Sequence, residues 1–147
     1  MVPMTSGLPL ESTPGLAERL DRIGQEFLAE FLGRATRRHP TNIEALAELA
    51  ETLTRLGRLE EGLDADERLV RLAPGDPTVR YNLACSLALL GRHESALAAL
   101  ERSVQLGYDD PAHMQEDEDL AGLREDARFQ QLIARLSSQV RRGEHEA

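Results

Sequence analysis

The sequence predicts an all-α fold, a short solenoid of helical hairpins, and three observations carry that prediction. The first is self-similarity. When Ile43–Pro74 is laid over Pro77–Tyr108, a shift of 34 residues brings Leu49 onto Leu83, Ala50 onto Ala84, Leu53 onto Leu87, Leu56-Gly57-Arg58 onto Leu90-Gly91-Arg92, Leu63 onto Leu97, Ala65 onto Ala99 and Glu67-Arg68 onto Glu101-Arg102. A fixed period of this length marks stacked supersecondary units, none of which can bury its apolar face alone. The second is composition: 41% of residues are hydrophobic, yet only 3% are aromatic and Trp is absent. A core drawn from Leu, Ala and Val favours helix over sheet. The third is punctuation, because Gly57, Gly91, Gly107 and the prolines at 40, 74 and 77 fall between the periodic stretches, where helix stops and starts belong.

Element by element, residues 1–13 mix Pro, Ser, Thr and Gly without periodicity and are expected to form a disordered tail. Thr13 and Pro14 read as the start of an N-terminal helix over 14–39. Leu16, Leu20, Ile23, Phe27 and Phe31, joined by Leu28 and Leu32, follow at helical spacing and are expected to face the first full repeat. The end of this helix sits one period before that of the second helix in the next unit, so it reads as the second half of a unit whose first half is missing. In repeat 1 (43–76), Thr41 or Asn42 caps a helix reaching about Leu56, and Thr41 with Glu44 has capping-box spacing. Gly57 closes it, and a second helix spans Leu59 to Leu72. In repeat 2 (77–110), Asp76 caps, Pro77 opens, Gly91 ends the first helix, and another runs from His93 to about Leu106 before Gly107. Beyond Tyr108 the period fails. Capping helices are expected over 111–140, near Ala112–Asp117, Leu120–Arg124 and Ala127 to Val140, and 141–147 is expected to fray. The whole reads as a single domain over 14–140.

Charge narrows the partners. A net charge of −9 opposes binding to a phosphate backbone, which depends on clustered Lys and Arg. A charged partner is therefore expected to be basic, and no nucleic acid is expected. Cys85 stands alone, so no intramolecular disulfide forms and a reducing compartment fits. The first residues lack the basic start and apolar run of a signal peptide, and no apolar stretch is long enough for a bilayer. These features predict a soluble cytoplasmic protein with no membrane contact.

The aligned residues resemble the tetratricopeptide repeat (TPR) from about residue 28 to 139, in its LA…L…LGR…(A)L…P arrangement. The run EDEDLAGLREDARFQQLI is similar to the D-x-D-L-x-x-L-R-x-D-x-R-F ending that closes such arrays. The resemblance implies two antiparallel helices per unit, close approach of Ala50 and Ala84 to Gly62 and Ala96, and coverage of the last repeat by Phe129 and Leu132. Two residues depart from the pattern. Gly62 stands where Ala is typical, and Asp66 stands where repeat 2 has Leu100. Asp66 reads as an exposed carboxylate, the alternative being a buried one with a partner such as Arg.

The resemblance also implies that the first helix of each unit lines a concave groove. Its candidate residues are Glu44, Ala47, Glu48, Glu51 and Arg55 in one unit and Thr78, Tyr81, Asn82, Cys85 and Leu89 in the next. Asn82 would bind peptide backbone, Tyr81 would give a flat surface, and the glutamates would pair with Lys or Arg. An ordinary solvated face is the competing reading of Glu44, Glu48 and Glu51. Only Asn82 matches the clamp with which some relatives hold acidic chaperone tails, and Glu51 opposes an anionic ligand. Cys85 and His93 lack a third group to orient them, and His113 with Asp110, Asp117 and Asp119 fits no metal loop. No catalytic residue, cofactor or metal is expected. The function predicted is a non-enzymatic adaptor or scaffold that binds a basic or amphipathic protein segment. The alternative is a structural or assembly module acting mainly through self-association or incorporation in a larger complex, with apolar excess on the first helix making a homodimer.

Overall fold

Side-chain caps and left-handed glycines divide the chain into helices. The structure, a computed structural model, describes residues 14–146; the expected tail over 1–13 and the proposed Thr13 cap lie outside them. In order, the helices are α1 (Leu16–Arg38), α2 (Ile43–Arg55), α3 (Leu59–Leu72), α4 (Pro77–Leu89), α5 (His93–Gln105), α6 (Pro111–Glu116), a 3₁₀ helix (Glu118–Leu123) and α7 (Ala127–Glu146). Among the described residues there is no strand, and no helix is long and apolar enough to cross a membrane. The helices pack in sequential pairs from α1 through α5; the 3₁₀ helix lies on α4, and α7 on α5 and α6.

Short polar side chains start most of the helices after α1. Asn42 accepts the Ala45 N–H at 3.0 Å, so Asn42 is the cap of α2 and the Thr41–Glu44 box does not form. Asp76 accepts from Thr78 and Val79 ahead of α4, and Asp110 accepts from His113 ahead of α6. Pro77 and Pro111 then open helices at positions where a missing N–H costs nothing. The hairpin turns are equally local. Gly57 and Gly91 adopt φ of 76° and 71°, a region a side chain disfavours. The following Arg58 and Arg92 N–H groups reach back to the Leu53 and Leu87 carbonyls, both at 2.9 Å.

The 34-residue period survives where residue identity is lost. Helices α2, α4 and α6 begin at 43, 77 and 111, and α3, α5 and α7 begin at 59, 93 and 127. The expectation that the period fails beyond Tyr108 therefore holds for identities and not for the backbone. The third unit differs in one respect: its first helix breaks at Asp117, which turns out with ψ of 117° and caps the Asp119 N–H at 3.0 Å. The break lets Met114, Leu120 and Leu123 all reach 0% exposure. At the C-terminus, 141–146 is helical rather than frayed. Val140 still packs on the core, and the Arg and Glu residues beyond it favour helix.

Phe129, Leu132 and Leu136, each 2% exposed, seat α7 on the core formed with α4, α5, α6 and the 3₁₀ helix. Burying such side chains contributes about 1.5–3 kcal/mol each, against roughly 0–1 for an exposed ion pair. The Arg128–Glu94 and Arg135–Glu101 pairs thus set the register of α7 more than they hold it.

Of the apolar residues expected to face the first repeat, Leu28 and Leu32 do so and the other five do not. Leu28, Ala29, Leu32 and Thr36 pack toward α2, whereas Leu16, Leu20, Ile23, Phe27 and Phe31 stay 59–72% exposed. Length is one reason. α1 has 23 residues and α2 has 13, and Gln25 already sits beside Arg55 at the end of α2, so the first turns of α1 overhang. Size is the other, because Ala29 and Thr36 admit a close neighbour and the phenylalanines do not.

Gly62 has a specific cause. A Cβ there would lie 2.8 Å from Thr54 Oγ1, and the Ala50 carbonyl is 3.5 Å away. The equivalent positions in the next unit are Ala96 and Ala88, so the space that two alanines share there is filled in the first unit by a larger Thr facing a glycine. Gly62→Ala is expected to destabilise by ~1–2 kcal/mol despite the higher helix propensity of Ala, and to become stabilising once Thr54→Ala is present. Urea unfolding of the two singles and the double measures this; a Gly62→Ala single more stable than wild type would refute the steric account.

Candidate functional site

Because α2 and α4 occupy the same place in successive units, residues 34 apart form rows across them. Ala47 lines up with Tyr81, Arg55 with Leu89, and Glu51 with Cys85 and then Asp119 of the 3₁₀ helix. These rows border a cavity of ≈ 790 Å³. Its walls hold Ala47, Glu51 and Arg55 of α2, Thr78, Tyr81, Asn82, Cys85 and Leu89 of α4, and Tyr108, Asp110, His113, Asp117 and Asp119 beyond. Glu44 and Glu48, expected in the same groove, do not line it and sit on exposed helix surface.

Two expected roles change. Tyr81 is only 4% exposed and offers no open surface. Its ring stacks under Tyr108 with centroids 4.4 Å apart and planes 6° from parallel, and His113 tilts against it at 5.7 Å. Its hydroxyl donates to Asp117 at 2.8 Å. Burial, then that hydrogen bond, hold the Tyr81 hydroxyl far above its usual range, and burial pushes Tyr108 up to about 12. The accessible ring of the groove is thus the half-buried Tyr108. Cys85, 8% exposed, lies under the same carboxylate, with Sγ 3.8 Å from Asp117 Oδ2. Burial first, and the nearby carboxylates second, raise its thiol well above normal, which disfavours the free thiolate a nucleophile requires. The Sγ of Cys85 and one carboxylate oxygen each of Asp117 and Asp119 lie within 4.8 Å of one another.

Electrostatically the groove is one-sided. Glu51, Asp66, Asp110, Asp117 and Asp119 line it, and the guanidinium of Arg55 already pairs with Glu51 at 2.5 Å. His113 Nε2 is 3.5 Å from Asp117. Desolvation and the charge of Asp117 raise the Asp119 carboxyl, so a cation arriving beside them would be attracted to both. The larger cavity of ≈ 930 Å³ between α5 and α7 is different, since its Glu94, Glu101, Arg128 and Arg135 satisfy one another.

Asp66 is buried at 4% exposure, not exposed as expected, and its partner is a hydroxyl rather than an arginine: Ser86 donates to it at 2.5 Å. α3 cannot sit outward, because Leu63, Ala65 and Leu69 on either side are all core residues. Burial pushes its carboxyl up to about 6 against the opposing pull of Ser86.

Sequence reasoning missed Tyr108, Asp110, Asp117 and Asp119 as groove residues. The signal was the period itself, since one more step of 34 from Cys85 lands on Asp119. No protein-family model matches the chain, and no curated protein matches it.

The Asp66 shift has a definite sign. A carboxyl whose folded pKa of about 6 exceeds its ordinary 3.8 stabilises the fold in its protonated form. That contribution is full below the lower value and lost as pH rises through the higher, an effect on the order of 2–3 kcal/mol. Asp66→Asn is expected to be more stable than wild type at neutral pH, with the gap closing on acidification through this window. Chemical denaturation at a series of pH values checks it, and a difference independent of pH would contradict the assignment.

Proposed function

We propose that the chain is a tetratricopeptide-type hairpin array acting as a non-enzymatic adaptor, whose groove takes a basic segment of a partner protein. In this reading a Lys or Arg side chain of the partner lies against Tyr108 with its charge toward Asp117 and Asp119, while Asn82, exposed at the edge, hydrogen-bonds the partner's backbone. The observation that carries the reading is the cluster of carboxylates beside an aromatic step in a preformed cavity, with Arg55 already engaged. Preorganised helices lose little freedom on binding, so the flexible partner bears most of the ordering cost. The protonated, covered thiol of Cys85 supports the non-enzymatic part.

An oligo-arginine peptide carrying a fluorophore is a direct probe, read by anisotropy. Binding is expected to weaken as salt rises and to fall roughly tenfold or more in Asp117→Asn/Asp119→Asn, because two charge-assisted contacts are removed. Glu44→Gln/Glu48→Gln removes the same charge outside the cavity and is expected to leave affinity within about twofold. Equal losses in the two variants would reduce the interaction to net charge and overturn the groove.

A further inference from the structure

The face of α1 turned away from α2 carries an apolar surface that no other described helix covers. Leu16, Leu20, Ile23, Phe27 and Phe31 lie four, three, four and four residues apart, so they form one continuous stripe, and all are 59–72% exposed. The sister helices are not built this way. α1 and α3 end 34 residues apart, at Arg38 and Leu72, so Phe27 corresponds to Glu61 and Ser95, and Phe31 to Ala65 and Ala99. Where the other units place polar or small residues, α1 places phenylalanine.

We infer that this stripe pairs α1 with α1 of a second copy of the chain, in antiparallel orientation about a two-fold axis. Three features select that occupant. The first is area: the five apolar side chains present on the order of 600 Å² per copy, about 500 Å² of it from the four that the antiparallel register pairs, and with flanking residues this approaches the ~800 Å² per partner of a stable interface. The second is charge. The chain carries −9 overall, so two copies repel over most of their surfaces, but α1 is nearly balanced, with Glu18, Asp21, Glu26 and Glu30 against Arg19, Arg22, Arg34, Arg37 and Arg38. The third is register. Written as a heptad seam, the stripe layers Leu16 on Phe27 and Leu20 on Ile23 of the other copy when the helices run antiparallel. That register places Arg19 beside Glu26 of the other copy, twice by symmetry. A parallel pair faces Arg19 with Gly24 and gains no such contact.

Sedimentation velocity of the full chain over a wide concentration range is expected to show a species of twice the chain mass. Leu20→Glu/Phe27→Glu, both outside the core, is expected to be monomeric with unchanged helical circular dichroism. Arg19→Glu and Glu26→Arg are each expected to weaken the dimer on the order of tenfold, since symmetry repeats the contact, and the double exchange to restore it. A wild-type chain that stays monomeric throughout overturns the pairing, as does a dimer that the Leu20→Glu/Phe27→Glu variant leaves intact. Failure of the charge exchange to restore the dimer overturns the antiparallel register.

Discussion

The structure depends on how closely the two helices of each hairpin approach. Gly62 lies against the Ala50 carbonyl in the first hairpin, and Ala84 and Ala96 are wholly buried in the second. Only residues without bulk permit backbones at this distance, and the left-handed glycine turn delivers the second helix there. Once the pair is close, Leu53 and Leu63, or Leu87 and Leu97, are shielded by both helices and by the next unit. The constraint also explains why Thr54 faces Gly62 where Ala88 faces Ala96: a larger residue on one helix is offset by a smaller one on the other, and the spacing of helix starts is kept.

That spacing produces the groove. Successive first helices stand in equivalent positions, so side chains accumulate in rows, and the third unit contributes through a broken helix. The break at Asp117 links fold and site. Its carboxylate accepts the Tyr81 hydroxyl, caps the 3₁₀ helix and faces the cavity at once. An anion that serves as both cap and hydrogen-bond acceptor is held in one geometry, which is what a preformed electrostatic site requires.

The helix limits were legible because their signals are local: Asn42 and Asp76 cap within three residues of themselves, and Gly57 and Gly91 need no distant partner. What depends on tertiary neighbours was not legible. In α1 both faces carry apolar residues at helical spacing, and periodicity alone cannot say which one α2 will cover; the small residues Ala29 and Thr36 decided it, against the larger stripe. Asp66 reads as a surface residue by type, and only the surrounding Leu63, Ala65 and Leu69 show that α3 has no room to expose it. In the groove, residues of α2 and α4 followed from helical spacing, but the burial of Tyr81 depends on Tyr108, after α5, and on Asp117 of the third unit, neither of which the spacing within α4 reveals.

The two proposed interaction surfaces are chemically incompatible with each other, and this bears on how they would be used. An acidic groove cannot complement a second acidic groove, since like charges facing across an interface are repelled and lose their water as well. The α1 stripe is apolar and bordered by both signs of charge, so it complements itself. The stripe lies on α1 and the groove is lined from α2 onward, so the two surfaces use different side chains. Two copies joined through α1 would therefore offer two grooves to one basic chain, raising its apparent affinity through effective concentration without any change in a single groove.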